Sequence, residues 1–315
     1  MKWYNLNPFS LETTLVPLAL LILLGWIVGR MRDIDLKSVS TLLIYAISPV
    51  VALGSTAQLS FHGTFILLPL ITCAMGSFCG LTSFALGRLL LKKKDIGYLL
   101  PQATGSGNNG YFGLPLAMAL FPPEQVGVYF LIMLGTTLFE ATLGYYFVGR
   151  GHLSVKDAVK RVAGMPVIYA IAIGLTLSAM HVTLDGGLLK LWDAARGAYV
   201  CLGMMIIGIA LAKHKKLAWD MDFLAIAVFG KYVLWAAAIA AFVWLDSHVL
   251  KIYDTPVYTM IAILAITPAA ANTAAFAAQH DFKPQLAATI VFLTTIISFV
   301  FLPFVLPLIF TFSQR

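Results

Sequence analysis

Between Ser38 and Gly87 the chain carries no Asp, Glu, Lys or Arg, and this charge-free run limits what the rest can become. A helix crosses a bilayer core of about 30 Å in about 20 residues, so the run is too long for one crossing and has to turn back. The polar cluster Gln58-Leu59-Ser60-Phe61-His62-Gly63-Thr64 is where it can do so. The same character extends along the chain: 60% of its 315 residues are hydrophobic, 11% are charged, and the mean hydropathy is +0.89. That balance excludes a water-soluble domain of this size. Charge-poor windows bounded by charges or turn residues fall at 11–30, 37–57, 64–90, 97–121, 125–149, 162–183, 191–212, 223–245, 255–279 and 285–311. The expectation is an all-α polytopic membrane protein with ten transmembrane helices.

Ten spans place alternate loops on alternate sides, so the basic residues test the count. One set of loops holds 15 Lys and Arg, the other 5, and Lys231 lies inside a span. By the positive-inside rule the first set faces the cytoplasm and both termini lie outside. The net charge of +7 is then a topological signal, and nucleic acid is not a partner. The first apolar run lacks a small-residue cleavage site and is followed by Arg30 and Arg32, so it is expected to remain as a span. Cys73, Cys79 and Cys201 are odd in number and lie in apolar segments, which suits small buried hydrophobes rather than a disulfide or metal framework. Trp3, Tyr4, Trp192, Trp219 and Trp244 lie near expected interfaces.

The most hydrophilic connection falls near the middle and divides the spans five and five. Because five is odd, a second half built like the first runs inverted, as in many secondary transporters. The expected organisation is a first five-helix repeat at 1–150, a cytoplasmic linker at 151–161 and a second, inverted repeat at 162–315. At an offset of 160 residues Gln125 matches Gln285, each just after a proline, Pro123 and Pro284.

Two spans are interrupted. The fourth contains Gly105-Ser-Gly-Asn-Asn-Gly-Tyr-Phe-Gly-Leu-Pro115, and the ninth contains Thr267-Pro-Ala-Ala-Ala-Asn272-Thr273. In hydrocarbon every backbone N–H and C=O needs a partner, so a helix breaks at membrane depth only where protein or a watery cavity receives the freed groups. Proline removes one helical hydrogen bond and clashes with the preceding turn. Breaks at corresponding places in two inverted halves point to a binding site at mid-membrane. The expected lining is Asn108, Asn109, Gly110, Tyr111, Thr267, Pro268, Ala271, Asn272 and Thr273, with Gly113, Pro115 and Pro268 shaping the breaks. Carboxamides supply both donors and acceptors there, and helix halves starting after each break direct their N-terminal dipoles at the site, which suits a carboxylate. Lone prolines such as Pro49 and Pro166 are read as ordinary kinks within spans, the slack taken up by neighbouring helices.

At these residues the chain resembles the auxin efflux carrier family, which includes plant auxin exporters and bacterial permeases for malonate-like organic acids. The family's fourth-span motif of Asn, four residues, Gly, an aliphatic residue and Pro is met by Asn108, Gly113, Leu114 and Pro115. The ninth-span pattern of Pro, Asn and an alanine-rich run is met by Pro268, Asn272 and the stretch from Ala274 to Ala278. Ile47-Ser-Pro49 and Leu202-Gly-Met-Met-Ile-Ile-Gly-Ile-Ala-Leu211 extend the similarity to nearly the whole chain. Gln279-His280 departs from the acidic and aromatic pair that relatives often carry. The resemblance implies crossing broken helices 4 and 9, a scaffold of helices 1, 2, 6 and 7, and a transport domain of helices 3–5 and 8–10 that moves like an elevator. It is also the basis for expecting a plasma (inner) membrane location and a homodimer formed through the scaffold helices.

Two formal charges lie well inside spans, Glu140 in the fifth and Lys231 in the eighth. A central charge costs about 2.5–3.5 kcal/mol on insertion scales, and neutralising two in one contact costs less than burying each alone. Glu140 and Lys231 are therefore expected to approach one another, either as a static ion pair or with Glu140 exchanging a proton during a cycle. The histidines show no metal-ligand spacing, and only His280, ending the ninth span, is kept as a site candidate. No nucleotide-binding loop and no clustered nucleophile and base occur, so an enzyme is not expected, nor any cofactor beyond a coupling H+ or Na+. The expected function is secondary transport of a small organic anion, a mono- or dicarboxylate. The alternative is a sodium- or proton-coupled symporter or exchanger of the bile-acid-symporter type, which usually has an aspartate beside the crossing; none occurs in 97–121 or 255–279.

Overall fold

Apolar helices that cannot satisfy their main chain with water close their hydrogen bonds internally and pack side by side, and a computed structural model of the chain is built in this way. It describes residues 8–59, 62–123, 125–149, 156, 159–160, 163–182, 184–213 and 217–313. The helices are α1 (Pro8–Met31), α2 (36–57), α3 (Gly63–Leu90), α4 (96–105), α5 (109–120) and α6 (Val126–Val148), then α7 (Pro166–Ala179), α8 (Gly186–Lys213), α9 (Met221–Leu250), α10 (Thr255–Ile266), α11 (Asn272–Gln279) and α12 (Pro284–Ser313). No strand occurs among the described residues.

Stretches within α2, α3, α6, α8, α9 and α12 are long and apolar enough to cross a membrane; α7, α10 and the Val16–Met31 part of α1 are shorter apolar helices. The window expected at 97–121 is split into α4 and α5, and that at 255–279 into α10 and α11. The helix expected at 223–245 runs on to Leu250, where Lys251 takes a left-handed backbone conformation (φ 53°) and ends it. Asp246, which falls just beyond the expected span, therefore sits in the last turn of α9 and is fully buried. Its carboxylate accepts from Tyr258 Oη (2.6 Å), Tyr253 N (3.0 Å) and Ile252 N (3.3 Å). Most of the expected linker 151–161 lies outside the described residues, as do His152, His214, Trp3, Tyr4 and several of the basic loop residues.

Helices α1, α2, α7 and α8 pack on one another, α1 along α8 and α7 along α2. Helix α3 packs against α4 and α6, and α12 against α10 and α11. Small residues permit the closest approaches, as they must where lipid is as apolar as the side chains and helices associate by close packing. A Cβ on Gly208 would lie 2.0 Å from Ile22 O, and one on Gly25 would lie 2.2 Å from Met205 O. Trp192, expected at an interface, is instead 3% exposed and donates to Val51 O (3.3 Å) in the packing of α8 on α2. Helix α6 is the most enclosed of the long helices, 72% of its apolar window being buried against 33–39% for the others. It carries Glu140, so that carboxyl group is protein-surrounded rather than lipid-facing.

Proline is absorbed in two ways. Pro166 stands at a helix start, where its missing N–H costs nothing. Pro49 follows a π-helical turn at Leu43–Ile47 that redistributes the hydrogen bonds ahead of it. Replacing Gly208 by valine is expected to drive α1 and α8 apart and cost about 1–3 kcal/mol of stability, read as a lower unfolding temperature of the detergent-purified protein.

Candidate functional site

The main chain leaves helical geometry twice inside the apolar body, and the two departures touch. Helix α4 ends at Gly105, Ser106 is extended (φ −134°, ψ 173°), and α5 begins only after Asn108. Helix α10 ends at Ile266, Thr267 is extended (φ −71°, ψ 141°), and α11 begins at Asn272. Asn108 N donates to Pro268 O (2.8 Å), and Thr267 Oγ1 donates to Asn109 Oδ1 (3.0 Å). Asn108 caps α5, its Oδ1 accepting from Tyr111 N (3.2 Å), as an asparagine does at a helix start. Ala269 N donates to Thr294 Oγ1 of α12 (3.0 Å). The groups that the breaks set free are thus met by protein.

Close approach requires glycine in the first break. A Cβ on Gly107 would lie 2.3 Å from Thr267 Oγ1, 3.0 Å from Asn109 Oδ1 and 3.1 Å from Lys231 Nζ. Farther along, a Cβ on Gly113 would lie 2.0 Å from Tyr129 Oη.

A cavity of about 770 Å³ opens beside the breaks. Asn108, Asn109, Gly110, Tyr111, Ala271 and Asn272 line it, together with Glu140 and His280. Of the remaining residues expected there, Thr267, Pro268 and Thr273 stand behind its wall, Thr267 and Thr273 being fully buried. Gly113 and Pro115 lie deeper in α5, away from the cavity.

Glu140 and Lys231 do not form the expected ion pair. Glu140 accepts from Ser106 Oγ, in the first break, and from Asn272 Nδ2 (2.7 Å), at the start of α11. Lys231 donates to Leu264 O (2.9 Å), in the last turn of α10, and its Nζ lies 5.0 Å from the centre of the Trp235 ring. The reason is geometric: Ser106 after α4 and Asn272 at the start of α11 present side-chain donors to Glu140, and the last turn of α10 presents a carbonyl at the negative end of its dipole to Lys231. Among the described residues each charge is met by neutral groups and has no charged partner.

Sequence reading missed several contributors. Thr136 Oγ1 accepts from Asn109 Nδ2 (2.8 Å), Tyr199 Oη donates to Gly110 O (3.2 Å), and Trp235 Nε1 donates to Thr104 O (2.6 Å). Thr136 and Trp235 stand one helical turn from Glu140 and Lys231, a spacing that puts each on the charged residue's face and so was visible in the sequence. Tyr199 and Tyr45, also on the cavity wall, carry no such signal.

The Glu140–Asn272 contact predicts a charge swap. Asn272→Asp alone sets two carboxyl groups against each other and should cost about 1–3 kcal/mol. Adding Glu140→Gln restores one donor facing one acceptor and should recover most of the loss. Unfolding temperatures of the two single variants and the double variant measure it; an equal cost of Asn272→Asp in both backgrounds would mean that the contact is absent.

With this geometry in view, residues 150–306 match the model of the membrane transport protein family. The chain is 26% identical over 304 residues to an uncharacterized transporter of Methanothermobacter thermautotrophicus, covering 93% of this chain and 96% of that protein. It is 24% identical over 295 residues to an uncharacterized transporter of Methanocaldococcus jannaschii, covering 89% of this chain and 92% of that one. The chain is thus a membrane-embedded, multi-pass helical body whose second half is similar to the membrane transport protein family and which resembles these archaeal transporters over most of its length.

Proposed function

We propose that the protein is a secondary transporter that moves a small organic anion, a mono- or dicarboxylate, by alternating access at the two touching breaks. The observation that carries this reading is the cavity on which Asn108 to Tyr111 and Ala270 to Asn272 open together. Both stretches are helix starts, where main-chain N–H groups lack intrahelical partners and the dipole is positive. Asn108 spends its Oδ1 on Tyr111 N, which leaves its NH2 for a solute carboxylate. Tyr45, Tyr111 and Phe276 offer apolar and aromatic surface to the rest of such a solute, and a site of mostly apolar wall with a few placed polar groups is what a small ligand needs.

In this reading α4 with α5, and α10 with α11, are the crossing interrupted members of ten spans arranged as two inverted five-helix repeats. Helices α1, α2, α7 and α8 form the scaffold, and the remaining helices carry the site past it like an elevator. In the same reading the chain belongs with the organic-acid permease branch of the auxin efflux carriers. It works in the cell membrane with both termini outside, as a homodimer through the scaffold helices.

One observation favours coupled transport as a second reading: Glu140 lies on the cavity wall and touches residues of both breaks. A carboxyl group so placed can exchange a proton as the site opens and closes, giving the proton-coupled form of a symporter of the bile-acid type.

A thermal-shift screen of the purified protein against mono- and dicarboxylates tests the first reading. A ligand at one hundred times its Kd adds about 2.7 kcal/mol, a clear rise in unfolding temperature. Asn108→Ala and Asn272→Ala should each remove it. Stabilising carboxylates that act equally on both variants would bind elsewhere and end this reading. For coupling, counterflow of the stabilising anion in proteoliposomes is compared across pH: Glu140→Gln should flatten the pH dependence, and an unchanged profile removes Glu140 from proton movement.

A further inference from the structure

Lys231 is fully buried, does not line the cavity and has no part in the solute site proposed above. What surrounds it is unusual for an ammonium group. Among the described residues its hydrogen-bond partner is Leu264 O at 2.9 Å, a carbonyl in the last turn before the second break. The hydroxyl of Thr267 lies 3.0 Å from that same carbonyl and 3.0 Å from Asn109 Oδ1. Beside Gly107, in the first break, these groups converge: the Cβ position is 2.3 Å from Thr267 Oγ1, 3.0 Å from Asn109 Oδ1 and 3.1 Å from Lys231 Nζ. A hydroxyl and a carboxamide oxygen therefore stand with the lysine nitrogen around Gly107, and the carbonyl of Leu264 bonds that nitrogen directly. The carboxylate of Glu140 is engaged elsewhere, by Ser106 and Asn272.

The stopped helices explain why a positive charge belongs there. Helices α4 and α10 both end at this point, and the last carbonyls of a helix are the negative end of its dipole. Helix α9 answers both with residues one turn apart: Lys231 takes Leu264 O, and Trp235 Nε1 takes Thr104 O at 2.6 Å. The Trp235 ring, 5.0 Å from Nζ, adds an aromatic face to the cation's surroundings. Neutral oxygens around a dehydrated positive charge are also what a bound alkali cation requires, hard cations taking oxygen ligands.

We infer that Lys231 is a tethered cation: its ammonium group stands where a dissolved sodium ion would otherwise have to stand, between the stopped ends of α4 and α10. The protein consequently has no need of sodium at the breaks, and deleting the lysine opens a position that sodium can fill. The inference rests on the transport reading only in treating the two breaks as the working site.

The test uses no organic anion, so its failure and the failure of the anion reading are told apart. The unfolding temperature of the full-length purified protein is measured in sodium chloride and in choline chloride at equal ionic strength and fixed pH. The natural protein should show no difference between the salts. Lys231→Ala, which vacates the position, should gain a sodium-specific rise of about 2–4 °C at saturation, and Lys231→Met, which fills the space without a charge, should not. Lys231→Ser keeps an oxygen at the position and decides the matter if the alanine variant does not purify. A sodium-specific rise in the natural protein overturns the inference, as does its absence from the alanine and serine variants or an equal rise in the methionine variant.

Discussion

Main-chain polar groups stripped of helical partners inside an apolar body must be met by something, and the structure around the two breaks follows from that requirement. Pro268 O is met by Asn108 N, Ala269 N by Thr294 Oγ1, Thr104 O by Trp235 Nε1 and Gly110 O by Tyr199 Oη. The donors and acceptors come from α8, α9, α12 and from the breaks themselves, so each break is held by several neighbours. A satisfied network of this kind fixes a geometry more firmly than the apolar packing around it, because losing one partner leaves a buried group unpaired.

The two buried charges serve the same requirement from opposite sides. Glu140 faces the start of α11 and the residue after α4, whereas Lys231 faces the last turn of α10. Pairing them directly would have cost the desolvation of both while leaving the helix ends unmet. Both stand in π-helical turns, Glu140 at the head of Glu140–Gly144 and Lys231 within Phe229–Leu234, a local widening that often accompanies functional side chains. Asp246 repeats the pattern at the head of Asp246–Leu250, where it ties down the turn into α10.

Much of this is legible in the sequence. Helix existence followed from charge-poor runs; the ends of α2, α3 and α6 fall within a residue of the expected ones, whereas α7 starts later and α8 earlier than the windows at 162–183 and 191–212. The break at 106–108 was visible because Gly105, Gly107 and Gly110 flank paired asparagines, and the second because Pro268 interrupts an apolar run. The end of α9 was misplaced because Asp246 reads as a loop charge, and only its hydrogen bonds to Tyr253 and Tyr258 show how a carboxylate can be buried there. Trp192 stands near an expected interface, where an indole commonly bridges water and lipid, yet its N–H donates to Val51 O inside the packing.

By itself the sequence determined the solvent of this protein, the segments that form helices and the two places where they stop, because hydropathy, charge and helix breakers act within a few residues of one another. Which charge answers which helix end was decided by the tertiary structure. Asn272 and Glu140 are 132 residues apart in the chain, and Thr267 and Asn109 are 158 apart. No local pattern records such a distance. The cost of burying two lone charges suggested that Glu140 and Lys231 would meet, but that cost names no partner; the position of each around its helix axis and the polar groups opposite it settled the partners.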